Sequence, residues 1–290
     1  MAHPSDVALP AERTFSLVNL VLLVLTAITT TIAGAIIAGA NPFEDPALLR
    51  HGIPFAATLM TILLAHEAGH YVMCRRYGVS ASLPYFIPGL FFWPAPGTFG
   101  AFIRIRARFP DRRALFDMAA AGPWAGFVVA LAATWIGLEQ STVLPQAPDS
   151  PAVIGDSLMI NILTRLALGP HADNVAFGPV AYAGWWGLFV TSLNLIPVGQ
   201  LDGGHVVYAA LGRSPRAFSA LLVACLVWLG LRGWPGWLLW AAITTTLLGL
   251  GHPSTLDDGR PLDTGRLFAA AATFVIFVLT FVAEPFKFVP

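Results

Sequence analysis

Two histidines four residues apart, with a glutamate beside the first, carry the clearest chemistry in this sequence: His66-Glu67-Ala68-Gly69-His70. On a helix, positions i and i+4 share a face, so both imidazoles reach one metal ion. Glu67 follows the first histidine, where its carboxylate reaches a metal-bound water. Two histidine ligands and a glutamate general base is the established logic of this spacing. Zinc lowers the pKa of its bound water to about 7, which makes hydroxide available near neutrality. Read alone, five residues are a weak signal, but their setting strengthens it. They sit in an apolar run, about 53–74. One ionisable group at the centre of an apolar span costs about 3 kcal/mol on insertion scales. Three such groups in five positions need a compensating partner. The bland alternative is that all three snorkel at one end of the helix.

A tetrahedral catalytic zinc needs a third protein ligand. Asp202 is the best placed, because it ends an apolar run of opposite direction, about 180–200, and so returns to the side of His66 and His70. Pro197 and Gly199 interrupt helical hydrogen bonding just before it, and Gly203 and Gly204 permit close approach. His205 competes as a ligand or supports the site from outside it. A helix N-cap is the ordinary alternative for Asp202. Asn194, eight residues earlier, is an amide in an apolar run. It either donates to a substrate carbonyl and its developing oxyanion or bonds a neighbouring helix. His171 and His252 fall outside any ligand spacing and read as ordinary surface residues. Asp117 reads as a helix entry, and Gly122-Pro123 as a point of close packing.

The elements that must position these groups belong in a membrane. Only 11% of the 290 residues are charged and 56% are hydrophobic. A soluble domain carries about 25% charged residues. Apolar runs fall at about 15–40, 53–74, 115–138, 180–200, 217–231, 236–250 and 267–283, the fifth and sixth short and joined by a tight turn at 232–236. The expected fold is an all-α polytopic membrane protein with about six to seven transmembrane helices. Residues 1–14 form a polar N-terminal segment, and 15–290 a single membrane domain. Its core spans about 53–212 and its C-terminal helices about 217–283. Segment 84–109 holds too many prolines and glycines for one helix. Alternation from Phe99 to Phe109 suggests a strand or hairpin at the membrane surface. The polar loop 139–180 contains an amphipathic stretch, 157–168, that suits a surface helix. Seven arginines between 75 and 113 against Arg165 alone in 139–180 place the first segment, and the N-terminus, in the cytoplasm. Arg232 is the outlier. Cys74 and Cys225 lie in or beside apolar runs without CxxC spacing and read as small core residues. A net charge of 0 gives no sign of a nucleic-acid partner.

These residues resemble the site-2 protease family of intramembrane zinc metalloproteases. The matching elements are HEAGH at 66–70, GTFGAFIRIRARFPDRRALFDMAAAGPWAG at 97–126 and NLIPVGQLDGGH at 194–205, with GHPSTLDDGRPLD at 251–263 near the last span. The resemblance covers most of 60–285 and is nearest to bacterial and plastid members without a PDZ insertion. It implies three core helices, at about 53–74, 115–138 and 180–212. It implies zinc held by His66, His70 and Asp202, with Glu67 activating water, and Asn194 matches the family's asparagine. It also implies that 84–109 is a membrane-associated β-hairpin able to receive an unwound substrate as an added strand.

The expected activity is therefore peptide hydrolysis within or near transmembrane segments of membrane-protein substrates. The expected location is a bacterial inner membrane, with lipid contact and with self-association left open. Three rival readings remain open. A metal transporter would explain intramembrane His and Asp, but such proteins often carry repeats, and none is visible. A catalytically silent relative has no need of Glu67. A prenyl-protein protease shares the HExxH pattern but would draw its third ligand from elsewhere.

Overall fold

The structure is a computed structural model that describes residues 16–92, 94–145, 152–172, 174–212 and 216–288. The polar segment 1–14 lies outside them. Helix α1 (Leu17–Ile37) is followed by a 3-10 turn (Pro46–Gly52) and α2 (Ile53–Arg76). Strands β1 (Tyr85–Pro88) and β2 (Thr98–Phe102) then precede α3 (Arg112–Glu139). Next come β3 (Thr142–Val143), β4 (Ala152–Ile154), α4 (Leu158–Leu168) and β5 (Val175–Ala176). Helices α5 (Pro179–Asn194), α6 (Asp202–Leu211), α7 (Arg216–Arg232), α8 (Gly236–Ile243) and α9 (Thr264–Thr280) lead to β6 (Phe286–Phe288).

Helix starts follow local chemistry. Asp111 caps α3 by accepting from Ala114 N–H at 2.9 Å, Ser157 caps α4 through Ile160 N–H at 3.2 Å, and Asp263 caps α9 through Arg266 N–H at 3.0 Å. Asp117, expected at the entry, lies inside α3. Its carboxylate accepts from Arg266 Nε at 2.8 Å and Nη2 at 2.7 Å, and from the Tyr77 hydroxyl. That cluster ties the end of α2, the first turns of α3 and the start of α9 together.

Helices α2, α3 and α5 pack on one another and form the centre of the molecule. One buried cluster gathers Phe55, Leu59, Ile62, Trp185, Leu188 and Phe189. A second, toward the arginine-rich end, gathers Cys74, Leu115, Phe116, Met118 and Tyr208. Outside this centre the surface stays apolar. Leu17 (71% exposed), Leu231 (72%) and Phe268 (73%) lie on α1, α7 and α9. An apolar belt this extensive is not a surface for water. Among the described residues, three helical segments are long and apolar enough to cross a membrane: Leu17–Ile37, Pro46–Arg76 (the 3-10 turn with α2) and Arg112–Glu139.

Several expectations change. The 180–212 helix is broken: α5 ends at Asn194, residues 195–201 turn, and α6 begins at Asp202. Pro197 and Gly199, the latter at φ +55°, account for the break. The hairpin spans 85–102, with Tyr85 opposite Phe102 and Ile87 opposite Gly100, and a single bridge at Ala81–Ile105 extends it. The alternation seen through Phe109 does not continue as strand, because the chain leaves the hairpin to reach the α3 cap. The amphipathic stretch is helical, but it buries Met159, Ile160 and Leu163 and packs on α3 and α9. Cys74 is buried, whereas Cys225 is exposed on the apolar face of α7. Both thiols are free.

Helix α1 holds the hairpin. Asn19 Nδ2 donates to Leu83 O (3.2 Å) and Pro84 O (3.0 Å) at its base, and Thr29 Oγ1 donates to Gly97 O (2.6 Å) near its tip. Asn19 and Thr29 are ten residues apart, about 15 Å along a helix. The hairpin thus runs well down the length of α1.

Candidate metal centre

Helix α2 carries His66, Glu67 and His70 in its interior, 5%, 5% and 6% exposed. His66 and His70 lie ten and six residues from Arg76, about 15 and 9 Å from that helix end. The three groups therefore do not snorkel at a terminus. Their helix face meets α3, where Gly122 and Gly126 clear the room that the imidazoles occupy. A Cβ on Gly122 would stand within 3.0 Å of three His70 ring atoms, and one on Gly126 would stand 3.2 Å from His66 Nδ1.

Asp202 arrives from the far side. It is the first residue of α6 and follows the N-cap position, Leu201. Its carboxylate does not cap the helix but turns to the two histidines, with Oδ2 lying 3.3 Å from His66 Nε2 and 3.3 Å from His70 Nε2. Gly203 allows this approach, since a Cβ there would collide with the Leu195 carbonyl.

His66 Nε2 and His70 Nε2 are 3.1 Å apart. His70 Nδ1–H donates to the Met118 carbonyl at 2.9 Å, so its Nε2 carries a lone pair. The lone pairs of His70 Nε2 and the Asp202 carboxylate thus meet His66 Nε2 in one buried spot, an arrangement suited to a cation. The dimensions fit zinc: tetrahedral ligands at 2.0–2.1 Å from the ion stand about 3.3 Å from one another. The observed edges are 3.1, 3.3 and 3.3 Å. Among the described residues, His66, His70 and Asp202 are the one group of three such donors that could hold a metal.

A cavity of about 200 Å³ opens on this group and is lined by Glu67, Ile103, Asn194, Gln200 and His205 among others. The backbone amide of Ile103 interacts with Glu67. Asn194 Nδ2 stands 3.4 Å from His66 Nε2, so the amide points into the site rather than to a distant helix. A second, mostly apolar cavity of about 420 Å³ shares His66, Glu67, Ala101 and Asn194 with the first.

His205 lies outside the donor group. Its Nδ1 is 2.5 Å from His252 Nε2, and the Tyr208 ring stacks on His252 at 4.0 Å. His252 is therefore not an ordinary surface residue. Burial holds its pKa below the usual histidine value, against the Pro253 carbonyl and Asp258, which raise it. Its Nδ1–H donates to Pro253 O, so His205 Nδ1–H donates to the His252 Nε2 lone pair. Sequence spacing gave no hint of this pair, because the partners are 47 residues apart. His171 is exposed, as expected.

The profile of Peptidase family M50 matches residues 54–229, which contain all five expected site residues. The chain is 34% identical to the "Probable zinc metalloprotease EGY1, chloroplastic" of Arabidopsis thaliana over 82% of its length and 43% of the relative's. It is 32% identical to the protein of that name in Oryza sativa subsp. japonica, over 83% of its length and 41% of the relative's. A third relative, "Probable zinc metalloprotease EGY2, chloroplastic" of Arabidopsis thaliana, is 31% identical over 79% and 41% of the two chains. The chain thus spans less than half the length of these curated relatives. Their names place them in the chloroplast, which does not fit the bacterial inner membrane expected above. No solved structure matches the chain. An HExxH helix packed on a glycine-cleared partner, an aspartate returning at the start of α6, and a profile match over more than half of the residues lead to one conclusion: the chain belongs to Peptidase family M50.

Proposed function

We propose that the protein is an intramembrane zinc metalloprotease that hydrolyses peptide bonds within or near transmembrane segments of membrane-protein substrates. The observation that carries this reading is the buried triangle of His66, His70 and Asp202 with Glu67 and Asn194 on the same cavity. These three donors would hold the zinc, which when bound supplies Lewis acidity to a scissile carbonyl and to the attacking water. Glu67 accepts the water's proton and returns it to the leaving amine. Asn194 donates to the oxygen on which negative charge develops.

Strand β2 supports the delivery of substrate. It pairs with β1 on one side only among the described residues, and its residues line both cavities. An unwound substrate segment adds to that edge, which frees its carbonyls from helical hydrogen bonds and exposes one to attack. We propose one polytopic domain of six to seven spans. It comprises the three long helices, the broken pair α5–α6, α7, α9 and the short α8. The base of the hairpin, Asp111, Arg260 and Arg266 form its cytoplasmic face, with the N-terminus on that side. Arg232, Glu284 and Lys287 lie together at the other end.

The test is cleavage of a transmembrane reporter by the full chain in proteoliposomes. Glu67→Gln should retain zinc and abolish product. Retained turnover would sink the proposed role of Glu67.

A further inference from the structure

We infer that the apolar cavity beside the metal donors is the subsite for a large apolar or aromatic side chain adjoining the scissile bond, walled by Trp186, Trp234 and Trp240. This rests on the protease reading above and names the substrate class of that same site. Two observations carry it.

First, position. The cavity measures about 420 Å³, within the range of pockets that take organic groups, and its remaining wall includes Leu63, Val190 and Leu193. It meets the metal-side cavity at His66, Glu67, Ala101 and Asn194. Strand β2 and the residue after it run past both, with Thr98 to Ala101 on the apolar cavity and Ala101, Phe102 and then Ile103 on the metal side. A chain paired with that edge advances about 3.3 Å per residue. A residue whose carbonyl reaches the donors therefore has a neighbour one or two positions away at the aromatic wall.

Second, the wall is braced. Trp234 and Trp186 lie 5.8 and 5.7 Å from the Phe286 ring, and Phe189 lies 6.2 Å from Trp234. Strand β6, which carries Phe286, is itself pinned to β4. A cavity held open by packed rings keeps its shape when a side chain enters.

The experiment uses the full chain in zinc-containing proteoliposomes. The cut site of one transmembrane reporter is mapped by mass spectrometry, and each flanking residue is then varied through Ala, Leu and Phe. Wild type should favour Leu or Phe over Ala in kcat/KM at one flank by about tenfold or more. Val190→Phe, which fills the cavity, should invert that ratio. A ratio near one in wild type, or one that Val190→Phe leaves unchanged, would overturn the subsite. Absence of any Glu67-dependent cleavage by wild type would overturn the protease reading itself.

Discussion

Substituting Gly122 by alanine isolates the role of helix α3 in shaping the metal site. A Cβ at Gly122 stands within 3.0 Å of Nε2, Cε1 and Cδ2 of His70. The ring cannot simply swing aside, because its Nδ1–H is fixed to the Met118 carbonyl on the same helix, one turn earlier. Either that bond breaks or α2 and α3 separate. Overpacking of this kind costs about 1–3 kcal/mol. Displacing a ligand from its orienting partner lowers metal affinity by about 10- to 100-fold. The assay is equilibrium competition for zinc against a chromophoric chelator in detergent, with the melting temperature of the metal-free protein measured in parallel. Gly178→Ala is the control, since its Cβ meets nothing closer than 3.8 Å. Gly122→Ala should weaken zinc binding by that factor. Wild-type affinity in Gly122→Ala would refute the reasoning.

Other expectations follow from the same geometry. Asn194→Ala should lower kcat by about 100- to 1000-fold, with zinc content unchanged by atomic absorption. His205→Ala should keep one zinc per chain in the same measurement, because His205 is bonded to His252 and lies outside the donor group. Arg266→Met strips Asp117 of both guanidinium bonds and should destabilise the fold by about 1.5–3 kcal/mol, read by thermal unfolding. The Arg266 backbone and side chain hold the Asp263 carboxyl below the ordinary carboxylate range. That support is present at neutral pH and is lost as pH falls below about 4 and through the lowered value. Acid should therefore lower the melting temperature of wild type more than that of Asp263→Asn.

The metal group was legible because each part of it follows from a local rule. Spacing four apart joins His66 to His70, and the reversal of chain direction across two apolar runs brings Asp202 to the same side. The prolines and glycines of 84–109 excluded a helix and left a hairpin. Other features depend on tertiary contact. The His205–His252 pair and the β4–β6 ladder join residues far apart in sequence, and neither has a periodic signature. Asp117 read as a helix entry because an acid near a helix start is ordinary, yet its partner Arg266 lies 149 residues away. The break at 195–201 was visible in Pro197 and Gly199, but the family resemblance implied one helix over 180–212. The short α7, α8 and α9 make the number of spans the least legible part of the fold.

Zinc K-edge X-ray absorption on the purified full chain tests the central claim most directly. The claim predicts one zinc with two imidazole nitrogens and oxygen at about 2.0–2.1 Å, and loss of that signal in Asp202→Ala. A shell containing sulfur from Cys74 or Cys225, or a shell unchanged in Asp202→Ala, would contradict it.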